Sequence, residues 1–180
     1  MSLTEESDLS EVAVSVAAAL RRSKIRAVLT GGACATLHSG GAYQSSDLDF
    51  ILQSTVTVQR LDAAMGSIGY RRKRDHYEHP SAPFFVEFPP GPLSIGRDLA
   101  IKPITYRIGP TSVRILSATD SVRDRLAAFY HWNDPQSLST ALEIALRHNV
   151  DMKKIRAWSI EEGSEEGFLR FAEELKRRRM

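Results

Sequence analysis

Cysteine is almost absent from this 180-residue sequence, which contains only Cys34. No disulfide can therefore form within the chain, and this use of cysteine favours a reducing, cytoplasmic setting. Cys34 follows a double glycine in an apolar context, which predicts a small buried side chain rather than an exposed nucleophile.

Long apolar runs are also missing. No run approaches the roughly 20 residues that cross a bilayer, so we expect no membrane-spanning helix and no membrane partner. The first residues are acidic and include no basic segment, which argues against a signal peptide.

The chain has no excess of one charge, because 24 Lys and Arg residues stand against 22 Asp and Glu residues. This balance does not by itself indicate a nucleic-acid partner. The basic residues are nevertheless clustered at positions 71–74 and 176–179. A solvated turn and the end of a terminal helix are the plainer interpretation of these clusters, and contact with a polyanion is the alternative.

Apolar periodicity divides the chain into an α+β part and a helical part. Apolar residues at helical spacing predict helices at 8–22, 33–38 and 58–68. Short apolar runs predict strands at 24–30, 47–53, 84–88, 101–106 and 112–116, with an exposed hairpin arm at 70–77. Four further helices are expected to begin at the caps Thr119, Asp134, Asp151 and Ser164. We therefore expect an α+β fold, with a mixed sheet flanked by helices in residues 1–116 and a helical C-terminal region in residues 117–180.

The stretch from residue 27 to residue 53 carries the chemistry; it reads AVLTGGACATLHSGGAYQSSDLDFILQ. An apolar strand stops at Gly31 and Gly32, and glycine lets the backbone approach a ligand closely. The N–H groups that open the following helix would then form an anion site. Asp47 and Asp49 lie two apart on the next strand and share a face, where two carboxylates repel unless a cation lies between them. A hard cation such as Mg²⁺ prefers such oxygen ligands.

A third acid, Glu87, stands in the apolar strand FFVEF. A carboxylate in such a strand is costly unless a partner compensates its charge, so Glu87 is the expected third member of the cluster. The alternative is a glutamate on the wet face of an edge strand, because Pro89 and Pro90 follow directly. By itself, the double glycine predicts only a turn. By itself, the acidic pair predicts only the solvated edge of a strand. Together they favour a phosphate site beside a metal site.

The histidines and tryptophans show no comparable pattern. His76 and His79 are three residues apart, but zinc normally takes three or four protein ligands and no cysteine lies nearby. We therefore assign no metal to this pair. Trp132 and Trp158 are expected to pack in the core or between helices.

The order of these motifs resembles the DNA polymerase β-like nucleotidyltransferase superfamily. The matching residues are Gly31 with Gly32, Asp47 with Asp49, and Glu87, and the resemblance covers about residues 8–116. The segments LTGGACATLHSGG and SSDLDF look most similar to small prokaryotic members, including toxins of abortive-infection and other toxin–antitoxin systems.

The resemblance implies a nucleotidyltransferase-like fold and transfer of a nucleoside monophosphate from a nucleoside triphosphate to an acceptor hydroxyl. Asp47, Asp49 and Glu87 would be the catalytic residues and the ligands of two Mg²⁺ ions, and Gly31 and Gly32 would bind the nucleotide. The implied acceptors are tRNA or another RNA, a protein, or a small molecule such as an aminoglycoside. A cognate antitoxin is a further implied partner.

Two departures from the family pattern leave a second interpretation open. Ala33 stands where many members have a serine, and Tyr43 and Gln44 stand where many small members have an arginine. A non-catalytic binding module of the same fold is therefore the alternative function. A metal-dependent nuclease is disfavoured, because position 89 is a proline rather than a lysine. The intact Asp47, Asp49 and Glu87 argue against the binding module, since clustered carboxylates have no obvious structural benefit. A plain interaction protein is a third alternative, and it would keep a normal fold and stability after all three acids are replaced.

Overall fold

The computed structural model describes residues 3–180 and has an α+β fold. Its helices are α1 (Leu9–Arg22), α2 (Gly31–Ser39), α3 (Val58–Gly66), α4 (Ala118–Trp132), α5 (Pro135–Arg147), α6 (Met152–Glu161) and α7 (Glu165–Arg179). Its strands are β1 (Ala27–Thr30), β2 (Asp47–Leu52), β3 (Arg71–Lys73), β4 (His76–Glu78), β5 (Phe85–Glu87), β6 (Ile104–Ile108) and β7 (Thr111–Ile115). Of the helices that the structure describes, none is long and apolar enough to pass through a bilayer.

The strands form one sheet in the order β3-β4-β5-β2-β1-β7-β6. The sheet is mixed, because β1 is antiparallel to β2 and parallel to β7, whereas β2 is parallel to β5. Antiparallel hairpins form both edges, β3 with β4 and β6 with β7. The predicted fold class, a mixed sheet with helices followed by a helical region, is confirmed.

Helix α1 begins at the start of the predicted range 8–22, at a capping box of Asp8 and Glu11. The Asp8 carboxylate accepts a 2.9 Å hydrogen bond from the Glu11 N–H, and the Glu11 carboxylate accepts a 3.1 Å bond from the Asp8 N–H. Both bonds satisfy N–H groups that a helix start leaves without a helical partner. The buried face of α1 consists of Leu9, Val12, Ala13, Val16, Ala19 and Leu20.

The chain forms two compact units. The first comprises the residues up to 33 together with 45–93 and 103–115, and it contains α1, α3 and the whole sheet. The second comprises residues 34–44, 94–102 and 116–180, and it contains α4 to α7. The assignment of separate domains to residues 1–116 and 117–180 stays a prediction.

In the second unit, α4 begins earlier than the sequence predicts. Its N-cap is Ser117 rather than Thr119, and the Ser117 hydroxyl accepts a 3.1 Å hydrogen bond from the Asp120 N–H. Thr119 instead accepts a 3.0 Å bond from the Asp151 N–H at the start of α6. The N-caps predicted at Asp134 and Asp151 are confirmed.

The two tryptophans have different environments. Trp158 is buried, and its indole N–H donates a 3.1 Å hydrogen bond to the Ile95 carbonyl. Trp132 is 81% exposed, so the packing predicted for it is wrong. Helix α4 ends directly after Trp132 at Asn133, whose left-handed backbone (φ 47°) terminates the helix there.

Candidate active site

Three carboxylates converge on neighbouring strands of the first unit. Strands β2 and β5 are parallel, and their register pairs Asp47 with Phe85 and Asp49 with Glu87. One oxygen from each of Asp47, Asp49 and Glu87 lies within 4.8 Å of the other two, and all three residues are half-buried. The two strands therefore build a single acid cluster.

Side-chain alternation explains why the acids share a face. Leu48, Phe50 and Val86 are buried on one side of the sheet, so their neighbours Asp49 and Glu87 point to the other side. Residues that are directly paired on adjacent strands also point to the same face. The apolar side thus anchors both strands, and the carboxylates project together from the opposite side.

Glu87 does not lie on an edge strand. Strand β5 is flanked by β4 and β2 in the sheet order, and β4 and β3 separate it from the edge. The alternative interpretation of Glu87, a solvated glutamate at a sheet edge, is therefore wrong. Pro89 and Pro90 follow the end of β5 in the sequence, but β5 still has a paired strand on each side.

Ser45 orients one of the carboxylates. Its hydroxyl donates a 2.8 Å hydrogen bond to Oδ1 of Asp47, and the serine itself is buried. No motif in the sequence assigns Ser45 a role. Its position two residues before Asp47 is the signal that could have revealed it, since serine hydroxyls often bond groups two residues away in turns.

Gly31 lies against the acid cluster. Its φ of +61° is in the left-handed region that glycine adopts without strain. A Cβ atom at this position would overlap Oδ2 of Asp49. The backbone at the start of α2 therefore approaches the Asp49 carboxylate as closely as only a glycine permits.

Helix α2 begins at Gly31 rather than at the predicted Ala33, so both glycines belong to its first turn. Glycine is a poor helix former, which is why the sequence predicts a later start. The N–H groups and the dipole at a helix start favour a bound anion. Gly31 and Gly32 thus belong to an element suited to phosphate, and Gly31 lies directly beside Asp49.

Ala33 and Cys34 follow the glycines and are completely buried. Burial raises the pKa of the Cys34 thiol to about 12, and its Sγ atom lies 3.9 Å from the Leu116 carbonyl oxygen. The thiol therefore stays protonated at neutral pH. The prediction of a buried small residue rather than a nucleophile is confirmed.

His76 and His79 each have hydrogen-bond partners close by in the chain. The His76 ring lies 2.9 Å from the Glu78 carboxylate and 3.1 Å from the Asp75 carboxylate. These hydrogen bonds, the one with Glu78 first, raise the pKa of His76. Nδ1 of His79 accepts a 3.1 Å hydrogen bond from the Ser81 N–H. Both rings thus stabilise the hairpin and the loop that follows it.

The acid cluster has the donor chemistry of a magnesium site. Its three carboxylates supply the hard oxygen ligands that Mg²⁺ prefers, within reach of a shared ion. Within residues 3–180, no other group of three His, Cys, Asp or Glu side chains converges in this way. The metal role of Asp47, Asp49 and Glu87 and the phosphate role of Gly31 and Gly32 stay predictions.

The fold is that of nucleotidyltransferase-like proteins, as comparison with solved structures shows. The chain is similar to an antigenic nucleotidyltransferase-like protein from Paracoccidioides brasiliensis, with a TM-score of 0.60 and 17% identity over 80% of this chain and 78% of that one. It is also similar to the antibiotic-resistance factor ANT(2'')-Ia, with a TM-score of 0.58 and 16% identity over 96% of this chain and 98% of that one. No family model matches the sequence, and no curated protein matches it. At these identities the likeness establishes the fold, and function has to be argued from the site.

Proposed function

We propose that this protein is a metal-dependent nucleotidyltransferase, which moves a nucleoside monophosphate from a nucleoside triphosphate to an acceptor hydroxyl. The convergence of Asp47, Asp49 and Glu87 within 4.8 Å is the observation that carries this function. Clustered carboxylates repel one another, so their proximity is costly without a cation. The glycine start of α2 beside Asp49 and the nucleotidyltransferase-like fold support a nucleotide as the second ligand.

Asp47, Asp49 and Glu87 would hold two Mg²⁺ ions. Bound magnesium would compensate phosphate charge and stabilise the entering and leaving oxygens at phosphorus. The protein contributes preorganisation, because Ser45 orients Asp47 and the close packing against Gly31 restrains Asp49.

Gly31 and Gly32 would bind the triphosphate through the backbone N–H groups of the first turn of α2. Phosphate oxygens accept such bonds, and the positive end of the helix dipole favours their charge. The proximity of Gly31 to the Asp49 carboxylate supports a phosphate site next to the metal site. A larger residue at position 31 would separate the phosphate site from the metal site.

In the proposed reaction, the acceptor oxygen forms a bond to the α-phosphorus, and the bond from this phosphorus to the β-phosphate oxygen breaks. Pyrophosphate leaves with the electron pair of the broken bond. The acceptor proton passes to the Glu87 carboxylate and then to solvent. Glu87 suits this role because it lies on β5, on the side of Asp49 away from β1 and its glycine end. Positioning and charge compensation supply most of the catalysis in such transfers.

Three classes of acceptor fit this chemistry: RNA such as tRNA, a protein, and a small molecule. ANT(2'')-Ia, which matches 96% of this chain, is an antibiotic-resistance factor, and this supports a small molecule. The motifs that resemble toxin–antitoxin members support RNA or protein, and with them a cognate antitoxin and a cytoplasmic location.

The test is a transfer assay in Mg²⁺ with each nucleoside triphosphate labelled at the α-phosphate and all three acceptor classes in parallel. We expect label on one class, and a loss of about 100-fold or more in Asp49→Asn, because charge compensation in the transition state is removed. Asp8→Asn is the matched control, since asparagine caps a helix as well as aspartate does. Label that moves only from the γ-phosphate would indicate a kinase, and a failure to bind any nucleotide in Mg²⁺ would exclude nucleotidyl transfer.

A non-catalytic binding module of the same fold is the second candidate. Ala33 favours it, because this buried residue brings no hydroxyl to the phosphate site. Such a module would bind a nucleotide in Mg²⁺, measurable by calorimetric titration, but would leave every acceptor unlabelled. Transfer by the unsubstituted protein would rule this candidate out.

A further inference from the structure

A cavity of about 440 Å³ lies in the first unit. It is lined by residues of α1, of the segment that joins α1 to β1, and of β1, β2, β6 and β7, together with a residue that follows β2. Pockets for small molecules usually measure roughly 300 to 1,000 Å³. The cavity is therefore large enough to hold a small organic ligand.

The strand register places this cavity at the end of β1 that lies away from the acid cluster. Thr30, the last residue of β1, pairs with Asp49. Before the start of β1, the Arg26 carbonyl accepts a 2.9 Å hydrogen bond from the Gln53 N–H, and both of these residues line the cavity. Four residues separate Arg26 from Thr30, which is about 13 Å along a strand. A ligand in the cavity would thus lie apart from the candidate metal and phosphate sites.

Three arginines, Arg21, Arg26 and Arg114, line the cavity, and all three are exposed. No Asp or Glu is among the described residues that line it. Within residues 3–180, none of the three arginines forms an ion pair, and Arg114 donates a long hydrogen bond of 3.4 Å to the Pro103 carbonyl. Their like charges repel one another, and an anion bound between them would remove this repulsion.

The end of α1 explains why two of these arginines face the same cavity. Lys24 has a left-handed backbone with a φ of 55°, and its N–H donates a 2.9 Å hydrogen bond to the Arg21 carbonyl. The Ile25 N–H donates a 2.8 Å bond to the Leu20 carbonyl. These two bonds form a Schellman motif, which ends the helix and reverses the chain. Arg26 therefore returns to the side of the cavity on which Arg21 lies.

The cavity also has an apolar part and a neutral polar part. Leu20, Ile25 and Phe50 are buried and line it. Thr105 of β6 is paired with Arg114 of β7, so their side chains point to the same face, and both line the cavity. Ligand sites in proteins typically combine such an apolar lining with a few charged and hydrogen-bonding groups.

We infer that this cavity binds a phosphate monoester with an apolar body, with its phosphate group held by Arg21, Arg26 and Arg114. Guanidinium groups bind phosphate oxygens through two parallel hydrogen bonds. A phosphate monoester carries a charge of about −1.5 to −2 at neutral pH, so it offsets three arginines better than one carboxylate does. The ligand is bound without a chemical step, and the site does not depend on the proposed nucleotidyl transfer.

Calorimetric titration with phenyl phosphate, in EDTA and without Mg²⁺, tests this site. We expect saturable binding to one site with a Kd of about 1 mM or below. Inorganic phosphate and phenol should each bind at least about tenfold more weakly, because each lacks one half of the contacts. Benzoate that binds as tightly as phenyl phosphate would overturn the assignment to phosphate.

Amide chemical shifts recorded during the same titration locate the ligand. The largest changes should fall in residues 20–28 and 105–114, which surround the cavity. Largest changes in residues 31–34 instead would place the phosphate at the start of α2 and would overturn the inference.

Arg21→Gln should weaken binding of phenyl phosphate about tenfold, because a charge-assisted contact to the phosphate is lost. Arg22→Gln is the matched control, since Arg22 is an exposed arginine in the same last turn of α1 but does not line the cavity. Its binding should change by less than about twofold.

A second pair of variants tests the cavity itself. Ala17 lines it and Ala18 does not, although both are half-buried residues of α1. Ala17→Leu should weaken binding at least about tenfold, because the larger side chain occupies part of the cavity. Ala18→Leu should change it by less than about twofold. Melting temperatures measured in parallel show whether each variant is folded, and the arginine pair decides the matter if Ala17→Leu is not.

Absence of saturable binding of phenyl phosphate, or equal losses in Arg21→Gln and Arg22→Gln, would overturn the inference. Binding of a nucleoside triphosphate in Mg²⁺ should be unchanged in all four variants. Its loss in Arg21→Gln, with Arg22→Gln unaffected, would assign the arginine to the nucleotide site and would also overturn the inference.

Discussion

Gly31 serves two purposes at a single backbone position. Its φ of +61° lies in the region that side chains disfavour, and the missing Cβ leaves room for Oδ2 of Asp49. A substitution at this position therefore strains the backbone and also displaces a carboxylate of the candidate metal site.

Gly31→Ala should cost about 1 to 3 kcal/mol of stability through backbone strain. Because Asp49 is displaced as well, nucleotide binding in Mg²⁺ should fall at least about tenfold. Gly109→Ala is the matched control, since Gly109 has a φ of +55° and open space where its Cβ would lie. It should lose similar stability in urea unfolding but keep its affinity in calorimetric titration. Equal losses of affinity in the two variants would contradict the role of Gly31.

At the residue scale, the sequence predicts which acids share a face better than it predicts the groups that contact them. That Asp47 and Asp49 share a face follows from the alternation of side chains along one strand. The hydrogen bond from Ser45 to Asp47 depends on the shape of the turn before β2, which no periodicity reports. The close approach of Gly31 to Asp49 depends on the pairing of β1 with β2.

At the scale of elements, a buried network of charges holds α4 in the second unit. Arg123 is 1% exposed and forms ion pairs of 2.8 Å with Asp120 and 2.6 Å with Asp98. Lys154 of α6 lies 2.8 Å from Asp120, and the Arg123 guanidinium lies 5.1 Å from the centre of the Trp158 ring. These contacts connect α4 with α6 and with the segment 94–102.

The network makes the stability of this unit depend on pH. Burial alone would raise the pKa of Asp120, but hydrogen bonds from Lys154, Arg123 and Ser117 outweigh it and hold the pKa below its ordinary value of 3.8. A carboxyl whose pKa is lowered by folding stabilises the fold above its unfolded pKa, and this contribution is lost as the pH falls through the folded pKa.

Asp120→Asn should lower the free energy of unfolding by about 3 to 5 kcal/mol at neutral pH, because the buried Arg123 loses one of its two carboxylate partners. As the pH falls below about 4, the free energy of unfolding should decrease less in the variant than in the unsubstituted protein, because asparagine has no carboxyl group to titrate. Urea unfolding across a pH series measures both effects.

Glu165→Gln is the comparison for this prediction. It removes an ion pair with Arg156 in which the two side chains are 50% and 57% exposed. Its cost should stay within about 0.5 kcal/mol. If the two variants cost the same, or if the pH dependence of Asp120→Asn is unchanged, the buried network does not stabilise α4.

On the scale of the whole molecule, the acid cluster is a local concentration of negative charge in a chain whose net charge is +2. Repulsion among three carboxylates within 4.8 Å opposes folding of the first unit. A cation that binds only the folded state removes this repulsion and shifts the unfolding equilibrium.

Mg²⁺ should therefore raise the melting temperature, with a stabilisation of about 2.7 kcal/mol at a concentration 100 times its Kd. Asp47→Asn should abolish most of this shift and should stabilise the metal-free protein, because one repulsive charge is removed. Scanning calorimetry with and without Mg²⁺ measures both, with Asp8→Asn as the variant that should keep the full shift. An undiminished shift in Asp47→Asn would exclude this cluster as the magnesium site.

The sequence by itself determined the local features of this protein. The caps at Asp8, Asp134 and Asp151 follow from the geometry of a few consecutive residues, as does the shared face of Asp47 and Asp49. The α+β class follows from the change of apolar period along the chain.

Only the tertiary structure decided which distant elements became neighbours. Glu87 meets Asp49 because β5 pairs in parallel with β2, and His76 meets Glu87 because β4 pairs with β5. These strand pairings depend on how much apolar surface the whole sheet buries with a given strand order, and not on the residues next to each strand in the sequence. For the same reason no local pattern could reveal that Trp132 is exposed, or that an exposed Phe85 lies beside the acids.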